Sequence, residues 1–427
     1  MDKLQSDTVT MSDPLTLLLL IILFLLYRLL HLASLAETPK HFYKEKSAFI
    51  SAILKSCPTL TKEYIPPFLW GKSGHLQTVI YAKLGRVKPK KPEGKRHYIV
   101  MPDGATMSFD VFDPHNAGEK DEHIIVVCPG IANSSEAGYI RTFVNHAQSH
   151  GYTVAVLNHL GALRSETLTS PRMFTYGGTE ELDAMVTKLM VLFPERKLLL
   201  VGFSMGGNIV MKYLGEKQEN QRKFLCGMSI CQGYDCNTAM PLYLEWYHMR
   251  RGYMYAMTAN LKSLMRHHRN ILFGEEAQRK FGPFDEEKIF AATSLSKIDE
   301  LYSARRAGYD NLRDYYRDHS CSINMNFVRD IPIFILSAAD DPLVPEPLLK
   351  YPREYIEINP KCLFVLTKHG GHLGYFEGGF IIPKEVTWLD RAIVEYADAI
   401  VNITSESDLS SSDTSEQVQS EQSPSYE

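Results

Sequence analysis

From about residue 97 onward the chain alternates two patterns of hydrophobic positions. Short runs that are apolar throughout alternate with longer runs whose apolar residues recur every three or four places. The first pattern predicts strands buried on both faces, and the second predicts amphipathic helices. In order, "HIIVVCPG" is a strand, "YIRTFVNHAQSHG" a helix, "YTVAVLNHLG" a strand and "TEELDAMVTKLMVLF" a helix. The strand "RKLLLV" follows, and then "NIVMKYLGE" with Ile209, Val210, Tyr213 and Leu214 at helical spacing. "FLCGMSICQG", "IPIFILSAAD" and "KCLFVLTKHGG" are further strands, and "TWLDRAIVEYADAIV" is a closing helix. Ahead of all of them, "HYIVMPDGATMSFDVFDP" reads as a hairpin turning at Asp103-Gly104. Such alternation makes an α/β fold, a mostly parallel sheet with helices on both faces.

Three segments break the pattern. "PLTLLLLIILFLLYRLLHLA", from Pro14 to Ala33, contains only Arg28 and His31 as ionisable residues. About 20 such residues match a hydrocarbon core of ~30 Å, so this stretch predicts an N-terminal transmembrane helix with Arg28 snorkelling to the interface. Asp2, Asp7 and Asp13 against Lys3, and a weak cleavage site in "LASLAE", favour a retained anchor over a removed signal peptide. From about 237 to 330 the strands stop, and "YLEWYHMRRGYMYAMTANLKSLMRHHRN" predicts a helical lid inserted above the strand ends. Trp246, Met249, Tyr253 and Met257 serve equally well there as plain core, while Arg250, Arg251, Lys262 and Arg266 suit a helix facing lipid. After Ile403 the chain is polar and acidic, which predicts disorder. The expected organisation is a short tail (1–13), an anchor (14–33), a basic Pro-rich extension packing on the core (34–96), the α/β domain (97–402) and an acidic tail (403–427).

Composition changes this picture little. A chain of 427 residues is long for one core yet within reach of an α/β domain with insertions. Hydrophobic content of 44% with 22% charged residues is that of an ordinary globular chain, and a net charge of −4 gives no case for nucleic acid. The seven cysteines are scattered, with Cys128, Cys226 and Cys362 inside apolar runs, so they read as buried thiols. Cys226, Cys231 and Cys236 stand five apart, which is not a zinc spacing, and no metal or cofactor is implied. Basic residues Arg28, Lys40, Lys44 and Lys46 against Lys3 put the main domain in the cytosol. The sequons Asn133-Ser-Ser and Asn402-Ile-Thr point to a glycosylated domain on the other side, so the side of the catalytic domain stays open for this single-pass protein of the cell membrane or endoplasmic reticulum.

The chemistry begins where "RKLLLV" meets its helix. Ser204 stands between Gly202 and Gly206, a G-x-S-x-G corner in which glycines avoid Cβ clashes and the serine hydroxyl is exposed. Alone, the motif is weak; a buried strand before it and a helix after it raise its weight. A serine needs a base and the base needs a carboxylate, and both follow late strands. "SAADDPLVP" offers Asp340 and Asp341; the D-x-x-V-P run selects Asp341 and leaves Asp340 to cap the turn. "HGGHLGYFEGG" offers His369 and His372; His372 follows Gly370-Gly371, where a flexible loop brings its ring to Ser204, and His369 packs or bonds locally. His159 ends an earlier strand and receives no role. Oxyanion donors are expected from the backbone N–H groups of Met205 and Ile131, each worth ~3 kcal/mol of transition-state stabilisation.

Seven motifs in colinear order, "WGKSGHLQT", "PDGATMSFD", "CPGIANSSE", "LTSPRMFTYG", "GFSMGGNIV", "AADDPLV" and "HGGHLGYFEG", together resemble the membrane-anchored abhydrolase family of α/β-hydrolases. The resemblance covers roughly residues 50 to 400. It implies a serine hydrolase of lipid esters, chiefly monoacylglycerols such as 2-arachidonoylglycerol, with Ser204, Asp341 and His372 as its triad. It also implies a single-span signal anchor with the catalytic domain outside the cytosol, against the local charge count, and an association with steroid hormones. A receptor in which a steroid fills the acyl pocket is the alternative reading. His372 to Glu377 is H-x4-E where acyltransferases have H-x4-D, which sets acyl transfer below hydrolysis.

Overall fold

The computed structural model of the chain describes residues 14–84, 91–116, 118–246 and 249–420. Among the described residues nine strands make one sheet: β1 (Lys40–Phe42), β2 (Lys95–Val100), β3 (Thr106–Phe112), β4 (His123–Cys128), β5 (Thr153–Asn158), β6 (Lys197–Phe203), β7 (Phe224–Ile230), β8 (Ile333–Ala338) and β9 (Cys362–Thr367). Their spatial order is β1-β9-β8-β7-β6-β4-β5-β3-β2. The strands from β9 to β5 in that order are parallel, and the hairpin β2–β3 and the short β1 pair antiparallel at the two edges.

Alternation is missing from the strands because both faces are covered. In β4, Ile124, Val126 and Cys128 face one core cluster with the Glu180–Leu192 and Met205–Glu216 helices. Ile125 and Val127 face a second cluster with the Gly138–Ser149 helix and the first turns of Trp388–Ser420. Each such buried aliphatic side chain contributes roughly 1.5–3 kcal/mol. The sheet is therefore the rigid layer from whose carboxyl ends the loops of the site emerge.

The segment after the N-terminal helix is tied into this core. Ile50, Ile53, Leu60 and Tyr64 pack with Trp388, and the Glu395 carboxylate accepts from the Thr59 backbone N–H (2.8 Å) and hydroxyl (2.5 Å). The three-residue β1, whose register puts Lys40 opposite Leu366, was not foreseen from this basic, Pro-rich stretch.

Two expected boundaries move. The apolar N-terminal helix is Pro14–Leu30, 17 residues with none buried, and it stops before Ala33 because His31 takes φ 50° and the chain turns. At 1.5 Å per residue it is about 25 Å long. No helix among the described residues is long and apolar enough to cross a membrane. At the other end, where composition predicts disorder from residue 403, the helix backbone runs on to Ser420. The short tail 1–13 and residues 421–427 lie outside the described residues.

Candidate active site

β6 ends at Phe203, and Ser204 then takes φ 54° and ψ −119° before the Met205–Glu216 helix begins. Non-glycine residues seldom hold a positive φ, so the corner is strained and persists because its surroundings hold it. The flanking glycines are required by close approach. A Cβ on Gly202 would collide with the Gly206 carbonyl, and one on Gly206 with the carbonyls of Cys128 and Pro129. Other residues around the site also lie at positive φ: Ala132 (58°), Cys231 (51°), Leu373 (62°) and Tyr375 (44°).

The corner aims Ser204 at His372. Ser204 Oγ is 2.8 Å from His372 Nε2, and His372 Nδ1 is 2.9 Å from Asp341 Oδ2. The other oxygen of Asp341 accepts the N–H groups of Leu343 (2.7 Å) and Val344 (3.1 Å), so the D-x-x-V run fixes the carboxylate from its own turn. The Asp341 side chain has no exposed surface and the His372 side chain is 10% exposed. The loop therefore brings together Ser204, Asp341 and His372, three residues read separately from the sequence.

Their neighbours form a different set of contacts. Asp340 Oδ1 accepts the Gly371 N–H at 2.8 Å, so it holds the histidine loop across a gap rather than capping its own turn. Burial raises the Asp340 carboxyl above the usual carboxylate range. His369 bonds Ser34 Oγ at 3.0 Å through Nε2, its Nδ1 lies 3.5 Å from Asp340 Oδ2, and its carbonyl accepts locally from the Thr367 hydroxyl at 2.6 Å. Two further residues steady the same loop: Thr78 Oγ1 accepts the His372 N–H (2.8 Å), and Gln77 Oε1 accepts the Phe376 N–H (2.9 Å). Sequence reasoning gave Thr78 and Gln77 no role, although both sit in the quoted "HLQT" stretch.

The loop after β4 lies opposite. Ile131 and Met205 line the cavity with Ser204 and His372, and neither of their backbone N–H groups has a partner among the described residues. The loop is anchored by Tyr139, whose hydroxyl accepts the Gly130 N–H (2.8 Å). His159 Nε2 lies 2.8 Å from the Pro129 carbonyl, and burial pushes its pKa down to about 4, so a neutral ring with Nε2–H donates there. His159 is therefore a support of this loop, which its place at the end of β5 did not reveal. Asn133 belongs to the same loop: its side-chain amide donates to the Ile131 carbonyl at 2.9 Å. Asn402 is exposed on the last helix.

The cavity holding these groups has a volume of about 90 Å³. Its far wall is the predicted lid, here a series of helices between Cys236–Tyr243 and Leu312–His319 that presents Met240, Met257, Leu261 and Met265. Tyr243 ties the lid to the acid loop by donating to the Leu343 carbonyl at 2.6 Å, and His75 Nδ1 bonds the Tyr253 hydroxyl at 2.9 Å. Asp299 opens a one-turn π-helix, Asp299–Ser303, in the same wall, and Tyr316 donates to it at 3.0 Å.

Burial pushes the Asp299 pKa up to about 6 from the usual 3.8. Because the folded state holds this proton more tightly than the unfolded chain, stability falls as pH rises from about 4 through 6 and levels off above. Thermal denaturation from pH 4 to 7 is expected to show this decline, and Asp299→Asn, which still accepts from Tyr316, to flatten it. Parallel pH profiles for the two proteins would remove the burial penalty assigned to Asp299.

With the geometry in place, comparison with known proteins gives a consistent result. The sequence profile described as "alpha/beta hydrolase fold" matches residues 123–379. The chain is 48% identical to "Monoacylglycerol lipase ABHD2" of Mus musculus and of Homo sapiens, in each case over 85% of this chain and 86% of the relative. It is 42% identical to "Abhydrolase domain-containing protein 2" of Drosophila melanogaster over 92% of this chain and 98% of that one.

Proposed function

The chain belongs to the abhydrolase 2 branch of the α/β-hydrolases and is an ester hydrolase, and from that premise we propose that it cleaves monoacylglycerols at a membrane through an acyl-enzyme on Ser204. The observation that carries the proposal is the continuous relay from Ser204 Oγ through the His372 ring to the buried Asp341. His372 Nε2 takes the hydroxyl proton as Ser204 Oγ attacks the ester carbonyl, and Asp341 holds the ring in the tautomer that leaves Nε2 free to accept it. The developing oxyanion is received by the N–H groups of Met205 and Ile131. His372 then gives its proton to the glycerol oxygen that leaves, and the same pair activates the water that releases the fatty acid.

Substrate class follows from the relatives' names and from the apolar lid. A cavity of about 90 Å³ is well under the ~300–1,000 Å³ of ordinary ligand sites, so admitting an acyl chain requires the lid helices to separate from the acid loop. Methionine side chains suit such a wall because they repack around chains of different shape. The Pro14–Leu30 helix, apolar and with no residue buried, is the tether that keeps the domain at the bilayer where these substrates reside.

The test is fluorophosphonate labelling of the full-length chain followed by an ester panel. A phosphonyl adduct on Ser204, with monoacylglycerols turned over faster than di- and triacylglycerols, is expected. No adduct would refute the nucleophile, and an adduct with no monoacylglycerol turnover would refute the substrate class.

A further inference from the structure

One surface combines exposed apolar residues with a rigid backbone. Ile65, Phe68, Phe380, Ile381 and Ile382 are each 51–77% exposed. They lie on two facing segments joined by backbone hydrogen bonds: Gly378 N–H to Ile65 (2.9 Å), Phe68 N–H to Gly379 (3.0 Å) and Leu69 N–H to Phe380 (3.0 Å). The Trp70 indole N–H donates to the Ile381 carbonyl at 2.7 Å, and the Phe68 and Phe380 rings stack at 5.1 Å. Gly378 (φ 64°) and Gly379 (φ 74°) form the turn that pushes Phe380, Ile381 and Ile382 outward. This apolar tip is held in solvent by construction.

We propose that this tip, residues 65–68 with 380–382, is a second membrane-docking element that seats the domain in the lipid interface at the foot of the N-terminal helix. It rests on the reading of Pro14–Leu30 as a bilayer tether. Continuity with that helix selects lipid as the occupant. Lys72 Nζ donates to the carbonyl of Leu32, just past the helix end, at 3.2 Å and lies over the Phe68 ring at 5.1 Å. The tip therefore stands beside the point where the chain leaves the helix. Lys72, over the Phe68 ring, sets a cation beside the aromatic and aliphatic tip that matches anionic headgroups over acyl chains, while Lys384 lies 3.8 Å from Glu377. The tip also follows His372 in one loop, through Tyr375 and Phe376, so docking places the site's own loop at the lipid surface.

The seven native cysteines are all buried, which allows an environment-sensitive dye to be placed on one introduced thiol in the full-length chain. The variants are Ile382→Cys in the tip, Leu20→Cys in the N-terminal helix and Val191→Cys, which lines a cavity with β2 at the opposite sheet edge. Each is reconstituted in phosphatidylcholine–phosphatidylserine vesicles carrying lipid-borne nitroxide quenchers. Dye at 382 and at 20 is expected to lose about half or more of its emission, and dye at 191 to keep it. Quenching at 20 without quenching at 382 would overturn the docking element and leave the tether standing. Quenching at 382 alone would retain the element and overturn the tether, and no quenching at either would overturn both. Dye at 382 shielded from an aqueous quencher but untouched by the lipid one would mean a protein covers the tip, against the proposal. As a second arm, Phe380→Asp with Ile382→Asp is expected to slow hydrolysis of vesicle-embedded monoacylglycerol by about tenfold and leave a soluble short-chain ester unaffected. An equal loss on both substrates would count against it.

Discussion

Ser204→Ala is expected to lower ester hydrolysis by about 10³-fold or more with little change in stability. The substitution removes one atom, Oγ, and with it the bond to His372 Nε2 at 2.8 Å. Alanine keeps the Cβ and so meets the same φ 54° corner, which the packed glycines on either side already hold. The lost hydrogen bond contributes about 1 kcal/mol to folding, too little to unfold a core of this size. The measurement is kcat/KM on a soluble short-chain ester, with thermal denaturation of the same preparation as a control. Turnover within tenfold of the parent in a folded variant would remove Ser204 from the chemistry.

Asp341→Asn is expected to cost about 10⁴-fold in kcat, because an amide facing Nδ1 favours the wrong ring tautomer. Asparagine at 341 still accepts from Leu343 and Val344 through its oxygen, so the turn survives and the loss is one of chemistry. The adjacent Asp340 provides the comparison. Its Oδ1 accepts the Gly371 N–H, which an asparagine oxygen also does, so Asp340→Asn is expected to cost less than about tenfold. The pH profile separates the two: the Asp341 variant is expected to lose the ordinary bell shape, and the Asp340 variant to keep it. The reverse ranking would transfer the acid to Asp340.

The wholly apolar strands and the three-to-four spacing of the helices were legible in the sequence because they are local consequences of a sheet covered on both faces. β4 and β8 lie inside the predicted "HIIVVCPG" and "IPIFILSAAD", and β6 covers the predicted "RKLLLV" from Lys197 and runs on to Phe203. Ser204 was legible for the same reason, since the corner it occupies demands glycines at fixed distances along the chain. The three-residue β1 was not, because a strand so short carries no period and exists only by pairing with β9. The end of the N-terminal helix at Leu30 was not either, since apolar residues continue past it and only the backbone turn at His31 stops it.

Within the site, the candidate residue types and their chain order came from the sequence, while the partners came from space. Asp340 and Asp341 are consecutive, and the backbone sends their carboxylates to Gly371 and to His372 respectively. His369 and His372 lie one loop apart, yet one reaches Ser34 and the other Ser204. Thr78, Gln77 and His159 support the loops from segments far along the chain, and no spacing marks such a role. Likewise, Phe68 and Phe380 are ordinary aromatic residues until the fold stacks them in solvent. The sequence by itself determined the covered parallel sheet, the strained serine corner and the acid-then-base order, all of which depend on periodicity and local sterics. Only the tertiary structure decided what Asp340 and His369 bond, where the apolar helix ends and which apolar residues stay outside, because these depend on side-chain direction and contacts between distant segments.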